Sequence, residues 1–181
     1  MRGALGREFT VTTKDTTYCN VAGVIEPTLQ AAEIRRAVDR PSNNPTTYDL
    51  YLRALQTTES WEKKDYLEAL DWLSQATKQD ATYGPALALS ALYLTALSAS
   101  GWADDPEATR QTAISLARRA VRNAGDDAAT LGRAAYILAY FSEDINAATT
   151  LIDRSLQINP SFADGWRWSG WCRGGVAADF G

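Results

Sequence analysis

A recurring junction constrains this chain more than any other feature. It is clearest in Asn159-Pro160-Ser161-Phe162-Ala163-Asp164-Gly165-Trp166-Arg167-Trp168-Ser169-Gly170, where a proline closes one stretch and a Trp-x-x-x-Gly stretch opens the next. Gly125 and Leu131 stand in the relation of Pro160 and Trp166, 35 residues upstream, and Ala81 and Leu87 repeat it 44 residues before that. Other positions keep step. Twelve residues before each junction comes Ala69, Ala113 or Ala148; eight before comes Leu73, Ala117 or Ile152. Five before comes Ala76, Ala120 or Ser155, and ten after comes Ala91, Ala135 or Gly170. Tyr83 and Phe162 place an aromatic just beyond two of the junctions. Two antiparallel helices approach closely only where a small residue admits a large side chain from the other. A small-and-large pattern at this period therefore asks for helix pairs that stack and bury a shared core.

The pattern resembles that of tetratricopeptide repeats over residues 45–175, with Ala81 and Gly125 where the family has proline. The resemblance implies an all-α fold: a right-handed α-α superhelix, or repeat solenoid, of about three helix pairs plus a terminal helix, preceded by an N-terminal helix.

Residues 1–15 show no helical period or caps and read as a disordered leader. Residues 16–44 read as a kinked helix and linker. Val21, Val24, Ile25, Thr28, Leu29 and Ala32 recur at helical spacing, Pro27 interrupts them, and Pro41-Ser42-Asn43-Asn44-Pro45 marks the linker. Arg35 and Arg36 close that helix as a solvated end rather than a basic docking spot. Within the repeat domain, 45–175, helices are expected at about 47–58, 63–79, 85–99, 106–123, 126–142, 144–158 and 161–173. The second should bury Tyr66, Leu70, Leu73 and Ala76 in one stripe. The third is apolar on most sides, and Gly101 should end it. Asp104 and Asp105 precede Pro106, while Asp126, Asp127 and Asp144 fall at helix starts. Paired carboxylates suit acid–base or metal chemistry, but free N–H groups at helix starts explain these better. Residues 176–181 form a short tail. Trp166, Trp168 and Trp171 are expected on or near an open end, where the chain is truncated or its last helix docks on something else.

The net charge of −4 argues against nucleic acid or an anionic membrane as partner. The chain has no histidine, which removes Ser-His-Asp and Cys-His catalysis and histidine-ligated metals. Cys19 and Cys172 are too few and too far apart for a disulfide framework or metal cluster and read as thiols in a reducing compartment. No run of 18 apolar residues spans a membrane, and the first residues lack a signal-peptide core. These readings lead to an expectation of a cytoplasmic chain with no catalytic residue, cofactor or metal.

Two stretches, Gly23-Val24-Ile25-Glu26-Pro27-Thr28-Leu29-Gln30-Ala31-Ala32-Glu33-Ile34-Arg35-Arg36-Ala37 and Tyr48-Asp49-Leu50-Tyr51-Leu52-Arg53-Ala54-Leu55, are similar to the C-terminal region of bacterial class III adenylate cyclase-like proteins. In these a cyclase or DNA-binding domain is followed by a TolB-like segment and tetratricopeptide repeats. A cyclase domain alone would need about the length of this chain, and its catalytic motifs have no counterpart here. The resemblance therefore implies a non-catalytic regulatory region and carries over no catalytic residue. The repeat family's groove positions map to Tyr51, Leu55, Ala88, Leu92, Thr95, Tyr136, Ala139, Arg167 and Trp171, with Tyr48 and Tyr140 beside them. That groove is aromatic and apolar. It lacks the Lys/Arg/Asn set with which chaperone-binding relatives hold a carboxylate. The expected ligand is an apolar helix or extended segment of a protein or peptide, which could belong to another domain of the same polypeptide.

Overall fold

The computed structural model describes residues 45–56 and 62–174. The expected leader, kinked helix and linker (1–44) and the tail (176–181) lie outside them. Among the described residues the chain is all helix, with no strand. The helices are α1 (Thr47–Gln56), α2 (Lys63–Gln79), α3 (Gly84–Ala99), α4 (Pro106–Asn123), α5 (Ala128–Tyr140), α6 (Ile145–Ile158) and α7 (Ala163–Gly174).

Local chemistry sets the helix ends. Asp105, Asp127 and Asp144 are N-caps whose carboxylates accept from Ala108 N at 3.0 Å, Thr130 N at 2.5 Å and Ala147 N at 2.9 Å. Each satisfies a backbone donor that the helix cannot. The cap at Asp127 moves the start of α5 from the expected 126 to Ala128. Asp126 instead meets the exposed Arg154 at 2.9 Å. Gly101 and Gly125 end α3 and α4 with φ of +67° and +54°. Gly125 holds a junction place where the repeat family has proline. Proline's ring fixes φ near −65°, so this left-handed turn requires a residue such as glycine.

The helices stack in two layers. Neighbours in the chain pair as α1 with α2, α3 with α4 and α5 with α6. The odd-numbered helices form one layer: α3 packs on α5 and α5 on α7, while Tyr93 on α3 donates its hydroxyl to Ala54 O on α1 at 3.1 Å. The even-numbered helices form the other layer, and each packs against the next odd helix. All the small positions of the sequence pattern but Gly170, which is exposed, lie in these contacts. Ala69, Ala76, Ala91, Ala113, Ala117, Ala120, Ala135, Ala148 and Ser155 are all fully buried. Large side chains enter the space they leave: Leu73, Leu89, Leu131, Ile137 and Ile152 are also fully buried, each stabilising by roughly 2 kcal/mol. In α2 the buried stripe is Tyr66, Ala69, Leu73 and Ala76. Leu70 is only half-buried, because Ala69 takes the position closest to the neighbouring helix.

Gly84 marks a close approach between backbones. A Cβ there would lie 2.9 Å from Asn123 O and 3.2 Å from Asn123 C in the last turn of α4. Those are backbone atoms and cannot swing aside. Gly84→Ala is therefore expected to destabilise by about 1–3 kcal/mol, lowering the midpoint of thermal unfolding by roughly 2–4 °C for each of these. Gly170→Ala is the contrasting case. A Cβ at Gly170 meets nothing within 4 Å, and removing a mid-helix glycine is expected to stabilise by about 0.5–1 kcal/mol. Circular dichroism melts of both variants would show whether the two shifts have opposite signs.

Candidate interaction face

The positions expected to line a groove lie on the odd-numbered helices but do not share one environment. Tyr51, Ala88, Thr95 and Ala139 are core residues. Thr95 turns its hydroxyl back to Ala91 O at 2.8 Å. The cause is the layer itself. A helix flanked on both sides and backed by its pair partner keeps only a narrow stripe in solvent. Residues one turn along from that stripe fall into the seams.

What remains on the stripe is one large apolar side chain from each odd helix: Leu55 on α1, Leu92 on α3, Tyr136 on α5 and Trp171 on α7. The first three are half-buried, and Trp171 is 38 % exposed. Leu92 packs at the margin of three of the core clusters, which anchors the middle of the row. The α5–α7 end is a connected aromatic surface. Tyr136 meets Trp171 edge-on with ring centres 6.1 Å apart, and Tyr140 lies 6.0 Å from Tyr136 and 6.2 Å from Trp171. Burial, followed by the neighbouring Tyr140, pushes the Tyr136 hydroxyl above its ordinary pKa, so it stays protonated and can donate a hydrogen bond. At the α1 end Tyr48 is exposed and stacks 6.4 Å from Tyr51. Arg167 is exposed, paired with Asp164 at 2.9 Å and lying 5.6 Å over the Trp168 ring.

Two features differ from the reading of the sequence. Trp168, expected near an open end with Trp166 and Trp171, is only 3 % exposed. It stacks 5.6 Å from Tyr136 and meets the Phe162 ring edge-on at 5.6 Å. The neighbouring Trp166 is 58 % exposed and donates its indole N–H to Pro160 O at 2.9 Å. Beside Trp168, Cys172 is also buried, and burial raises its thiol pKa to about 11, so it is an inert core thiol. Cys19 lies outside the described residues.

The second difference is Arg133, which sequence reasoning did not single out. It is buried on α5 and donates to the Tyr51 hydroxyl at 3.1 Å, bridging α5 and α1. Burial opposes its charge, but Tyr51, Tyr93 and Asp127 outweigh that and keep the guanidinium protonated. Among the described residues no carboxylate forms a salt bridge with it. Its pKa influences and those on Tyr83 describe one neighbourhood. The Tyr83 hydroxyl is raised by burial and then by Tyr51, Tyr48 and Asp127, and its ring stands edge-on to Tyr51 at 5.8 Å. The apolar row therefore has a polar, cationic root at its α1 end.

Among the described residues no group of three or more His, Cys, Asp or Glu could hold a metal ion, and no helix is long and apolar enough to cross a membrane. No protein-family model and no curated protein sequence matches the chain.

Proposed function

We propose that this chain is a protein-interaction module of the tetratricopeptide type. In this reading the odd-numbered helices form the inner face of a right-handed superhelix. The face holds an apolar segment of a protein or peptide, which could belong to another domain of the same polypeptide. The row Leu55, Leu92, Tyr136 and Trp171 supports the reading, because every odd-numbered helix leaves a large apolar side chain at least partly in solvent. An amphipathic helix or extended segment laid along it would find an anchor at each step. The Trp171 and Tyr136 rings are of the type that dominates interface energetics.

The test uses peptides selected from a random library on the immobilised chain. Selected sequences should be rich in apolar residues. The triple variant L92A/Y136A/W171A should weaken their binding at least about 100-fold, and Trp171→Ala alone about tenfold. Trp171 is partly exposed, so its single variant remains informative if the triple variant folds poorly. Unchanged binding by Trp171→Ala would remove the face from consideration. The reading gives the chain a regulatory rather than catalytic part. Cyclic-nucleotide formation from ATP or GTP by the purified chain, with Mg²⁺ or Mn²⁺, would overturn that.

A further inference from the structure

We propose that the groove between α4 and α6, in the even-numbered layer, is the docking site for helix α2 of a second copy of this chain. A cavity of about 420 Å³ lies there, and one of about 350 Å³ adjoins it along α4 and Glu143; Arg118 and Arg122 line both. Both helices pack on α5, and Leu138 of α5 joins Val121 and Leu151 in an apolar lining beneath the two arginines.

The charges around this groove are unevenly matched. Glu143 is held between Arg110 at 3.1 Å and Arg118 at 2.6 Å, and Arg110 also meets Glu107 at 3.4 Å. Ser142, with φ of +52°, turns the chain just before it. Asp144 also lines the groove, but its carboxylate is engaged in capping α6. Arg122, one helical turn beyond Arg118, has no carboxylate partner among the described residues. The walls of the groove thus hold three arginines against two carboxylates, Glu143 and Asp144, above an apolar floor.

The complementary surface is on α2. Leu67 is 49 % exposed, an isolated large aliphatic side chain on a charged helix face. Beside it Glu68 is exposed with no cationic partner among the described residues, and Asp71 is exposed and bonded only to Gln75, at 2.8 Å. Glu68 and Asp71 are three residues apart and Arg118 and Arg122 four, about 4.5 and 6 Å along their helices, so each helix carries its charge pair within about one turn. With α2 in the groove, Leu67 covers Val121, Leu138 and Leu151 while the carboxylates meet the arginines. Because α2 lies at one end of the even layer and the α4–α6 groove at the other, the contact is head-to-tail. Such contacts extend into rings or filaments rather than closing as a simple two-fold dimer.

Sedimentation equilibrium over a concentration series, at low and high ionic strength, tests this. The average mass should rise above the monomer with concentration, and added salt should reduce the rise. The double variants E68K/D71K and R118E/R122E should each weaken association at least roughly tenfold. An equimolar mixture of the two should recover it, because reversed groove then meets reversed helix. Leu67→Ser and Arg122→Glu, both at exposed positions, keep the test valid if the R118E/R122E variant, which breaks the Glu143 pair, folds poorly. A monomer at every concentration would overturn the proposal. So would association that ignores all these substitutions, which would point instead to the Trp166 and Trp171 face.

Discussion

Ile137→Ala is expected to lower stability by about 3–4 kcal/mol, toward the upper part of the range for such truncations. The reason is the composition of its surroundings. Ile137 is fully buried, and the other buried members of its cluster are Ala91, Ala113, Ala117 and Ala134. Alanine has no rotamer with which to fill a hole, and the helices cannot close up where their backbones already approach through small residues. Ile137→Val, which removes one methyl, should lose about 0.5–1.5 kcal/mol. Urea unfolding of the two variants decides the matter. If Ile137→Ala lost less than about 2 kcal/mol, the neighbouring Leu116 or Phe141 would have to be moving in, and the alanine seams would be softer than argued here.

Arg133 should respond to its replacements in opposite ways. Arg133→Ala opens a cavity between α1 and α5 and deprives the Tyr51 hydroxyl of its donor, so a loss of about 3 kcal/mol is expected. Arg133→Met keeps most of the volume and removes a buried cation that has no salt-bridge partner among the described residues. Stability should then stay within about 1 kcal/mol of the parent or rise, since apolar replacements of buried ionic groups are often neutral or stabilising. Tyr51→Phe leaves one guanidinium N–H unpaired and should lose about 1–3 kcal/mol. A double-mutant cycle between Arg133 and Tyr51 should return a coupling of at least roughly 0.5 kcal/mol. If Arg133→Met is as damaging as Arg133→Ala, the charge rather than the volume is what the fold requires at this point.

The contrast between these two residues shows what can be read from the chain alone. Ile137 packs among Ala91, Ala113 and Ala117, which belong to the periodic pattern of small and large residues, and such patterns specify which positions face another helix. Caps are equally local: Asp105-Pro106 and Asp144 each announce a helix start within a few residues, and the expected spans 63–79 and 106–123 are the observed ones. Arg133 meets a partner 82 residues away, and no local pattern reports that distance. The groove positions fall between these cases. Mapping the groove positions of the resembled repeat family put Ala88, Thr95 and Ala139 with Leu92 and Tyr136. It could not distinguish a residue on the open stripe from one in the adjoining seam, because that depends on how closely the flanking helices stand. Trp168 was misplaced for the same reason. It is two residues from an exposed tryptophan, and only the positions of Tyr136 and Phe162 show that it turns inward.

The alanine seams join each helix to helices one or two places away in the chain. Apart from the Arg133–Tyr51 bond between α5 and α1, cohesion is therefore settled locally, as it is between courses of brick. A two-helix unit could be inserted or removed at either end while every surviving seam kept its partner. The number of helices is then free to drift over evolutionary time without redrawing the interior, and the reach of the apolar row would lengthen or shorten with it.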